Sequence, residues 1–197
     1  MLKIEKVETH GWEAAIRGLR NPMNSWHKSD SEYVGNIYII GKNDLKLMQQ
    51  LTSAGSDHGK FMRMIVVYMD ITAPLYWWKE FSTYKIGTVA NSCSTMHKIH
   101  DKLFTLDDFS HDQLCDQAIE CLLHVVYCLN QYQQLYLDTN NKSMWWQMIQ
   151  LLPSSYNQKR TVMLNYEVLK NIYHARRNHK LDEWHDFCNM IEDLPYS

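Results

Sequence analysis

Hydrophobic residues recur at helical spacing along most of the chain. Over residues 11–19, for example, Trp12, Ala15 and Leu19 fall on one face, which predicts a short helix. The same spacing predicts further helices over residues 43–52, 74–81, 111–138, 144–152, 160–177 and 181–194. Strand patterns are fewer. Residues 61–71 have a continuous apolar centre, which predicts a strand buried on both faces.

Polar and small residues predict how two of these helices begin and pack. Asn43 and Asp44 are helix-capping residue types at the start of one helix, and Ser110 precedes the longest helix in the same way. Cys121 and Cys128 stand seven residues apart in that longest helix and fall on its apolar face. We therefore expect both cysteines to be small core residues.

The remaining segments are short. Residues 1–7 alternate weakly between apolar and polar side chains, which predicts an edge strand. Residues 38–40 predict a brief strand or a buried connecting segment. Residues 82–94 are polar and small, which predicts an ordered loop where chemistry could take place. Because no repeat, linker or low-complexity segment interrupts the chain, we predict a single helix-rich α+β domain over residues 1–197.

Composition and charge exclude several classes of protein. The chain has 20 Lys and Arg against 22 Asp and Glu, which excludes a strongly basic nucleic-acid binder. Its longest apolar run, residues 64–69, is too short to cross a membrane. The first residues alternate in charge, so we expect no signal peptide. The five cysteines are an odd number, which suits reduced thiols in a cytoplasmic protein.

Ten histidines raise the question of a metal site. The sequence nevertheless contains no HExxH and no CxxC motif, so we predict no metal ion. Rossmann, P-loop and GxSxG motifs are absent as well. The candidate chemistry therefore rests on neutral donors and arginines.

Two groups of polar residues could bind a ligand. The first is the Ser-rich segment with Asn91, Ser92 and Ser94, whose neutral donors suit a phosphate or a carbonyl of a heterocycle. A polar turn or helix cap is the alternative interpretation. The second lies on the predicted helix 160–177, where Asn171, His174 and Arg177 share a stripe and Arg176 lies beside it. That stripe suits an anionic ligand, with a solvated helix face as the alternative.

In this order, the two groups resemble the flavin-dependent thymidylate synthases, in the divergent form carried by bacteriophages and prophages. The resemblance covers roughly residues 55–190. Ala73-Pro74 begins an aromatic-rich helix as in the family, and Asn91-Ser92-Cys93-Ser94 stands where the family has Asn-Glu-x-Ser. The C-terminal match is better: after Leu152-Pro153, the residues that coincide with family positions without a gap are Asn165, Leu169, Asn171 and Arg176.

The resemblance implies a helix-rich α+β domain with a small antiparallel sheet, assembled as a homotetramer. It implies an FAD bound between subunits and the reductive methylation of dUMP, with methylenetetrahydrofolate as the carbon donor. Ser94 and Arg176 would then be catalytic, and Asn91 and Ser92 would join them in binding the pyrimidine nucleotide. The residues implied at the cofactor are His58, Lys79, Asn165 and Asn171.

The chain also departs from the family pattern, mainly by losing positive charge. Lys79-Glu80-Phe81 replaces Arg-His-Arg, Ser92 replaces the signature Glu, and Met96 replaces the following Arg. The Arg just before Leu-Pro is replaced by Ile149-Gln150, and the second His of the upstream motif by Met64.

The residues that could compensate are Arg160, Lys85 and Arg63. Two functions therefore stay open. One is a thymidylate-synthase-like enzyme acting on dUMP or a related nucleotide. The other is a non-catalytic nucleotide- or partner-binding protein on the same fold.

Overall fold

A computed structural model describes all of residues 1–197 and contains six strands and eight helices. In chain order these elements are β1 (Lys3–His10), α1 (Trp12–Arg20), β2 (Glu32–Val34), β3 (Ile37–Ile39), α2 (Lys42–Ser53), β4 (Val66–Pro74), α3 (Leu75–Phe81), β5 (Val89–Ser92), α4 (Thr95–Lys98), α5 (Asp116–Thr139), α6 (Lys142–Leu151), β6 (Asn157–Asn165), α7 (Tyr166–Arg176) and α8 (Asp182–Glu192). Short 3-10 helices cover Asn21–Met23, Trp26–Lys28, Gly59–Met64 and Leu106–Asp108. The predicted helix-rich α+β class with a small antiparallel sheet is confirmed.

The main sheet has four strands in the order β1-β4-β6-β5, so β1 is an edge strand as its weak alternation predicts. A separate two-stranded sheet pairs β2 with β3 in antiparallel register, with Tyr33 opposite Tyr38. The brief strand expected at residues 38–40 is therefore β3, with one residue of offset.

The chain forms two compact units, and the division passes through the strands of the main sheet. The first unit comprises Met1–Glu5, Asp70–Thr83 and Ala90–Thr161. The second unit comprises Lys6–Met69, Tyr84–Val89 and Val162–Ser197.

The first unit is built around the packing of α5 against α6. Its buried cluster includes Phe109, Leu129 and Met148. Helix α5 begins at Asp116 and not just after Ser110, so the predicted cap is wrong. The backbone N–H of Ser110 instead donates to the carbonyl of Ser155 at 2.8 Å, next to the antiparallel bridge between Phe109 and Tyr156.

The buried face of α5 contains Leu122 and Leu129 of the predicted apolar face, but Cys121 does not lie on it. Its buried residues are Leu122, Val126, Leu129 and Gln133. Cys121 consequently lies exposed and Cys128 is half-buried, so the prediction of a core position is wrong for Cys121. Several apolar residues share the predicted face, and spacing alone did not decide which of them faced α6.

The second unit has a core formed by α1, α2 and the 3-10 helix Gly59–Met64. The predicted helix over residues 11–19 is confirmed, with Ala15, Ile16 and Leu19 buried. Asp44 does not cap α2. The helix begins at Lys42, and the carboxylate of Asp30 accepts the backbone N–H groups of Asn43 and Asp44 at 2.9 and 3.0 Å.

Two corrections concern strands. The predicted strand 61–71 begins only at Val66, because residues Gly59–Met64 form a 3-10 helix. Its middle is buried on one face, since Val67 and Met69 are buried while Tyr68 is 43% exposed. The predicted helix 160–177 is divided: its first residues belong to β6, and only α7 is helical.

Candidate functional site

The second unit places Arg176 at the last residue of α7, in an aromatic setting. Its Nε donates a hydrogen bond to the hydroxyl of Tyr84 at 2.9 Å. The centre of its guanidinium lies 4.8 Å from the Trp184 ring, which is fully buried. A guanidinium over an indole is held in place by electrostatic attraction to the ring face. The fold therefore orients the plane of Arg176.

The exposed face of α7 carries the other residues of the predicted stripe. Asn171, His174 and Arg177 are all exposed, as the stripe predicts. Asn171 has no hydrogen-bond partner within the chain. Arg177 lies 5.9 Å from the ring of Tyr173, whose hydroxyl hydrogen-bonds to Glu192. The bond to Glu192 raises the pKa of Tyr173, which keeps that hydroxyl protonated and able to donate.

Asn165 and His58 occupy two different kinds of position in this unit. Asn165 is buried and caps α7, since its side-chain oxygen accepts the backbone N–H of Val168 at 3.0 Å. Its amide nitrogen faces Gly87, where an added Cβ would lie 2.6 Å from that nitrogen. His58 is exposed at the start of the 3-10 helix Gly59–Met64.

The first unit turns the Ser-rich segment into a strand and a short helix. Asn91 and Ser92 are exposed residues of β5. Ser94 is half-buried and caps α4, with its Oγ accepting the backbone N–H of His97 at 3.1 Å. The hydroxyl proton of Ser94 remains available for donation to a ligand. The last part of the predicted loop 82–94 is therefore strand β5, followed by the cap of α4.

Lys79 lies on α3 of the first unit, on the side of the helix away from the core. It is exposed, whereas Trp77, Trp78 and Phe81 on the same helix are buried. Its ammonium has no acidic partner within the chain, so the charge is available to an external group.

Arg160 is a further charged residue close to the Ser-rich segment. Strand β6 neighbours β5, and the backbone N–H of Cys93 donates to the carbonyl of Lys159 at 2.9 Å. The Arg160 guanidinium lies 4.3 Å from the ring of Trp78, and burial lowers its pKa. The sequence indicated Arg160 as a residue that could replace lost positive charge, but it predicted a helix at this position, where the structure has β6.

Each unit contains part of the predicted site. In the first unit, Asn91, Ser92 and Ser94 are neighbours along β5 and its continuation, next to β6, and Lys79 lies on α3. In the second unit, the predicted residues are His58, Asn165, Asn171 and Arg176.

A cavity of about 560 Å³ lies in the second unit. Its wall is mainly apolar, with Met48, Phe61 and Leu169, and Lys170 is among its polar lining residues. None of the predicted site residues lines it. This cavity is therefore separate from the polar groups expected to bind a nucleotide.

Solved structures with the same architecture identify the fold. The chain is similar to the flavin-dependent thymidylate synthase ThyX from Helicobacter pylori complexed with FAD and dUMP, at 18% identity and a TM-score of 0.69, over 97% of this chain and 94% of that one. The chain has the fold of the flavin-dependent thymidylate synthases. A second structure of the Helicobacter pylori enzyme with FAD and dUMP matches at 16% identity and a TM-score of 0.70, over 99% of this chain and 94% of that one.

The thymidylate synthase fold extends to a related enzyme. The UMP/dUMP methylase PolB from Streptomyces cacaoi, bound with 5-Br UMP, matches at 12% identity and a TM-score of 0.62, over 98% of this chain and 86% of that one. No protein-family model and no curated protein matches the sequence. The fold resemblance that the motifs predict is thus confirmed by structure, at identities of 12–18%.

Proposed function

We propose that this protein is a flavin-dependent methylase of a pyrimidine nucleotide, with dUMP or a related uridine nucleotide as substrate and a folate as carbon donor. The observation that carries the proposal is the oriented guanidinium of Arg176 at the end of α7, in a fold whose solved examples hold FAD with dUMP or bind 5-Br UMP. By resemblance, the protein works as a homotetramer.

The residues present suit an FAD. In the second unit, the side chains of His58 and Asn171 are exposed and have no partner within the chain, so an imidazole and an amide are available to its phosphates and heteroatoms. Lys79 of the first unit is also exposed, and its place at the cofactor is what the resemblance implies. Asn165 contributes less, because its oxygen already caps α7. When bound, FAD would supply the hydride that reduces the transferred one-carbon group.

The chain's own residues bind and polarise the nucleotide in this proposal. Arg176 donates to a ring carbonyl of the pyrimidine and stabilises negative charge that develops there. Ser94 donates its hydroxyl proton to the nucleotide while its oxygen stays engaged with the His97 N–H. Asn91 and Ser92 offer further neutral donors from β5.

Three measurements on the purified protein test the proposal. When the protein is added to FAD, flavin fluorescence should be quenched, because a bound flavin contacts protein side chains. Calorimetry should detect the binding of dUMP to the protein. Incubation with FAD, dUMP, methylenetetrahydrofolate and a reductant should then produce thymidylate.

Binding of dUMP without turnover would instead support the non-catalytic alternative, which the replaced Arg-His-Arg motif favours. Absence of both FAD and dUMP binding would overturn the proposal.

A further inference from the structure

Arg160 is a partly buried cation with no counter-charge. Partial burial of the guanidinium lowers the pKa of Arg160, and no carboxylate pairs with it. Other arginines of the chain are paired, for example Arg20 with Asp44 and Arg63 with Glu167. An unpaired charge withdrawn from water destabilises the fold. The charge of Arg160 is therefore available to an external anion that reaches this position.

Neighbouring groups hold Arg160 in one orientation. Its Nε donates to Oε1 of Gln158 at 3.0 Å, and its guanidinium lies over the Trp78 ring. Gln158 is itself fixed, since its Nε2 donates to the carbonyl of Cys93 at 2.8 Å. The indole N–H of Trp78 donates to the backbone carbonyl of Gln158 at 2.8 Å. These bonds leave both terminal nitrogens of the guanidinium without an acceptor.

The bond from Gln158 to Cys93 ties this arrangement to the Ser-rich segment, because Ser94 is the next residue. Three residues could replace the lost positive charge: Arg63, Lys85 and Arg160. The Nε and one terminal nitrogen of Arg63 donate to the carboxylate of Glu167, so the charge of Arg63 is already paired. Lys85 is exposed, and no hydrogen bond or ion pair holds its side chain in one orientation. Of these three residues, only Arg160 combines a fixed orientation with an unpaired charge and two unused terminal nitrogens.

We infer that Arg160 is a phosphate-binding residue of this chain, taking the phosphate monoester of a nucleotide through its two terminal nitrogens. The identity of the nucleotide rests on the proposed function, whereas the anion site rests on the contacts above. Guanidinium groups bind phosphate through paired N–H donors, and a pre-oriented guanidinium loses little side-chain entropy on binding. Arg160 would thus restore charge that the replaced motif arginines no longer supply.

The test compares ligands that differ only in the phosphate. Calorimetry measures dUMP and deoxyuridine binding to the wild type, Arg160→Gln and Arg160→Lys, and inorganic phosphate is tested as a competitor of dUMP and by itself. Arg160→Gln should weaken dUMP binding about tenfold or more, leave deoxyuridine affinity unchanged and reduce the salt dependence. Arg160→Lys should recover only part of the loss, because an ammonium lacks the planar fork.

Lys159→Gln is the matched control. It removes the same charge from the adjacent residue, whose ammonium pairs with Asp70 at 3.1 Å. We expect less than about a twofold change in dUMP affinity for this variant, as for most surface substitutions. Circular dichroism spectra and thermal unfolding of all variants verify that they fold.

The outcomes separate the inference from the proposed function. Equal dUMP affinity in the wild type and Arg160→Gln would overturn the inference and leave the nucleotide site standing. Equal losses for dUMP and deoxyuridine would also overturn it, since the role would then be structural. If the wild type binds inorganic phosphate through Arg160 but neither dUMP nor deoxyuridine, the inference holds and the proposed function fails. No binding of phosphate or dUMP would overturn both.

Discussion

Asp44 shows how far the role of one residue depends on contacts distant in sequence. Its carboxylate is fully buried and accepts hydrogen bonds from Arg20, Ser29 and Ser31, each at 2.6 Å. Burial acts to raise the pKa of Asp44, but these hydrogen bonds and the charge of Arg20 outweigh it and lower the pKa below its usual value. The sequence indicated a helix cap, because local spacing did not reveal that the partners of Asp44 lie in an earlier segment of the chain.

Replacing Asp44 should therefore destabilise the protein strongly. Asp44→Ala leaves Arg20 buried without its counter-charge, which costs about 3–5 kcal/mol of unfolding free energy. Urea denaturation at neutral pH measures this difference. Asn43→Ala, at an exposed neighbouring position, is the control and should stay within about 0.5 kcal/mol. A loss below about 1 kcal/mol for Asp44→Ala would contradict the prediction.

The same residue predicts a pH dependence. Because folding lowers the pKa of Asp44, its contribution is present above the ordinary carboxyl pKa of about 4 and is lost as the pH falls through the lowered value. Wild-type stability should thus decrease on acidification more steeply than that of Asp44→Asn, which cannot titrate there. Urea denaturation of both proteins between neutral and acidic pH measures the slopes. Parallel slopes would show that Asp44 does not carry this dependence.

Arg176 carries the functional prediction at this scale. Arg176→Ala should weaken dUMP binding about tenfold or more, because it removes a charged donor, and Arg176→Lys should restore only part of it. Tyr84→Phe should cause a several-fold loss, since it removes the hydroxyl that accepts from Arg176. Calorimetric titration of dUMP measures all three. Arg177→Ala is the control at the exposed next residue, and a loss equal to that of Arg176→Ala would contradict the assignment.

At the scale of elements, amphipathic helices were more predictable than strands. Helices α1 and α8 were predicted with nearly correct limits, since one apolar face packs on a core. Strand β6 was not, because its short alternating stretch precedes α7 without a loop and blends with the helical pattern. The boundary is set by Asn165, whose side chain caps α7. A polar residue between apolar stretches is a cap signal that could have placed this boundary.

The alternation along β6 gives a mutational prediction. Leu164 is fully buried and Met163 half-buried, although the two are adjacent. Leu164→Ala should cost about 2–5 kcal/mol of unfolding free energy, as for other large-to-small core changes. Met163→Ala, which removes a side chain of similar size, should cost less. Urea denaturation measures the unfolding free energy of both variants. Equal losses of unfolding free energy would contradict the alternation of buried and half-buried positions along β6.

For the whole molecule, the sequence predicted the fold family better than the arrangement of its site. The matches from Leu152-Pro153 to Arg176 carried the resemblance, and the structure confirms the fold. Most of the support around Arg160 and Arg176 could not be predicted, because Trp78 and Tyr84 reach these arginines from distant parts of the chain. Trp184 contacts Arg176 from the next helix. None of the helices is both long and apolar enough to cross a membrane.

Helix α5 also leaves large apolar side chains uncovered, which bears on assembly. Leu123 and Tyr127 lie one turn apart on its outer side and are 46% and 59% exposed. Adjacent exposed apolar groups of this size are typical of interfaces. We therefore expect a second copy of the chain to cover this face, in line with the tetramer that the resemblance implies.

Light scattering of the wild type should accordingly show an oligomer. Leu123→Glu and Tyr127→Glu should lower the measured mass, because a carboxylate buried in the interface without a partner is strongly unfavourable. Gln50→Glu adds the same charge at an exposed position of α2 and should leave the mass unchanged. If the flavin is held between subunits, the two interface variants should also lose FAD affinity while keeping their helical content. A wild type that stays monomeric at high concentration would reject the interface and, with it, a site shared between copies.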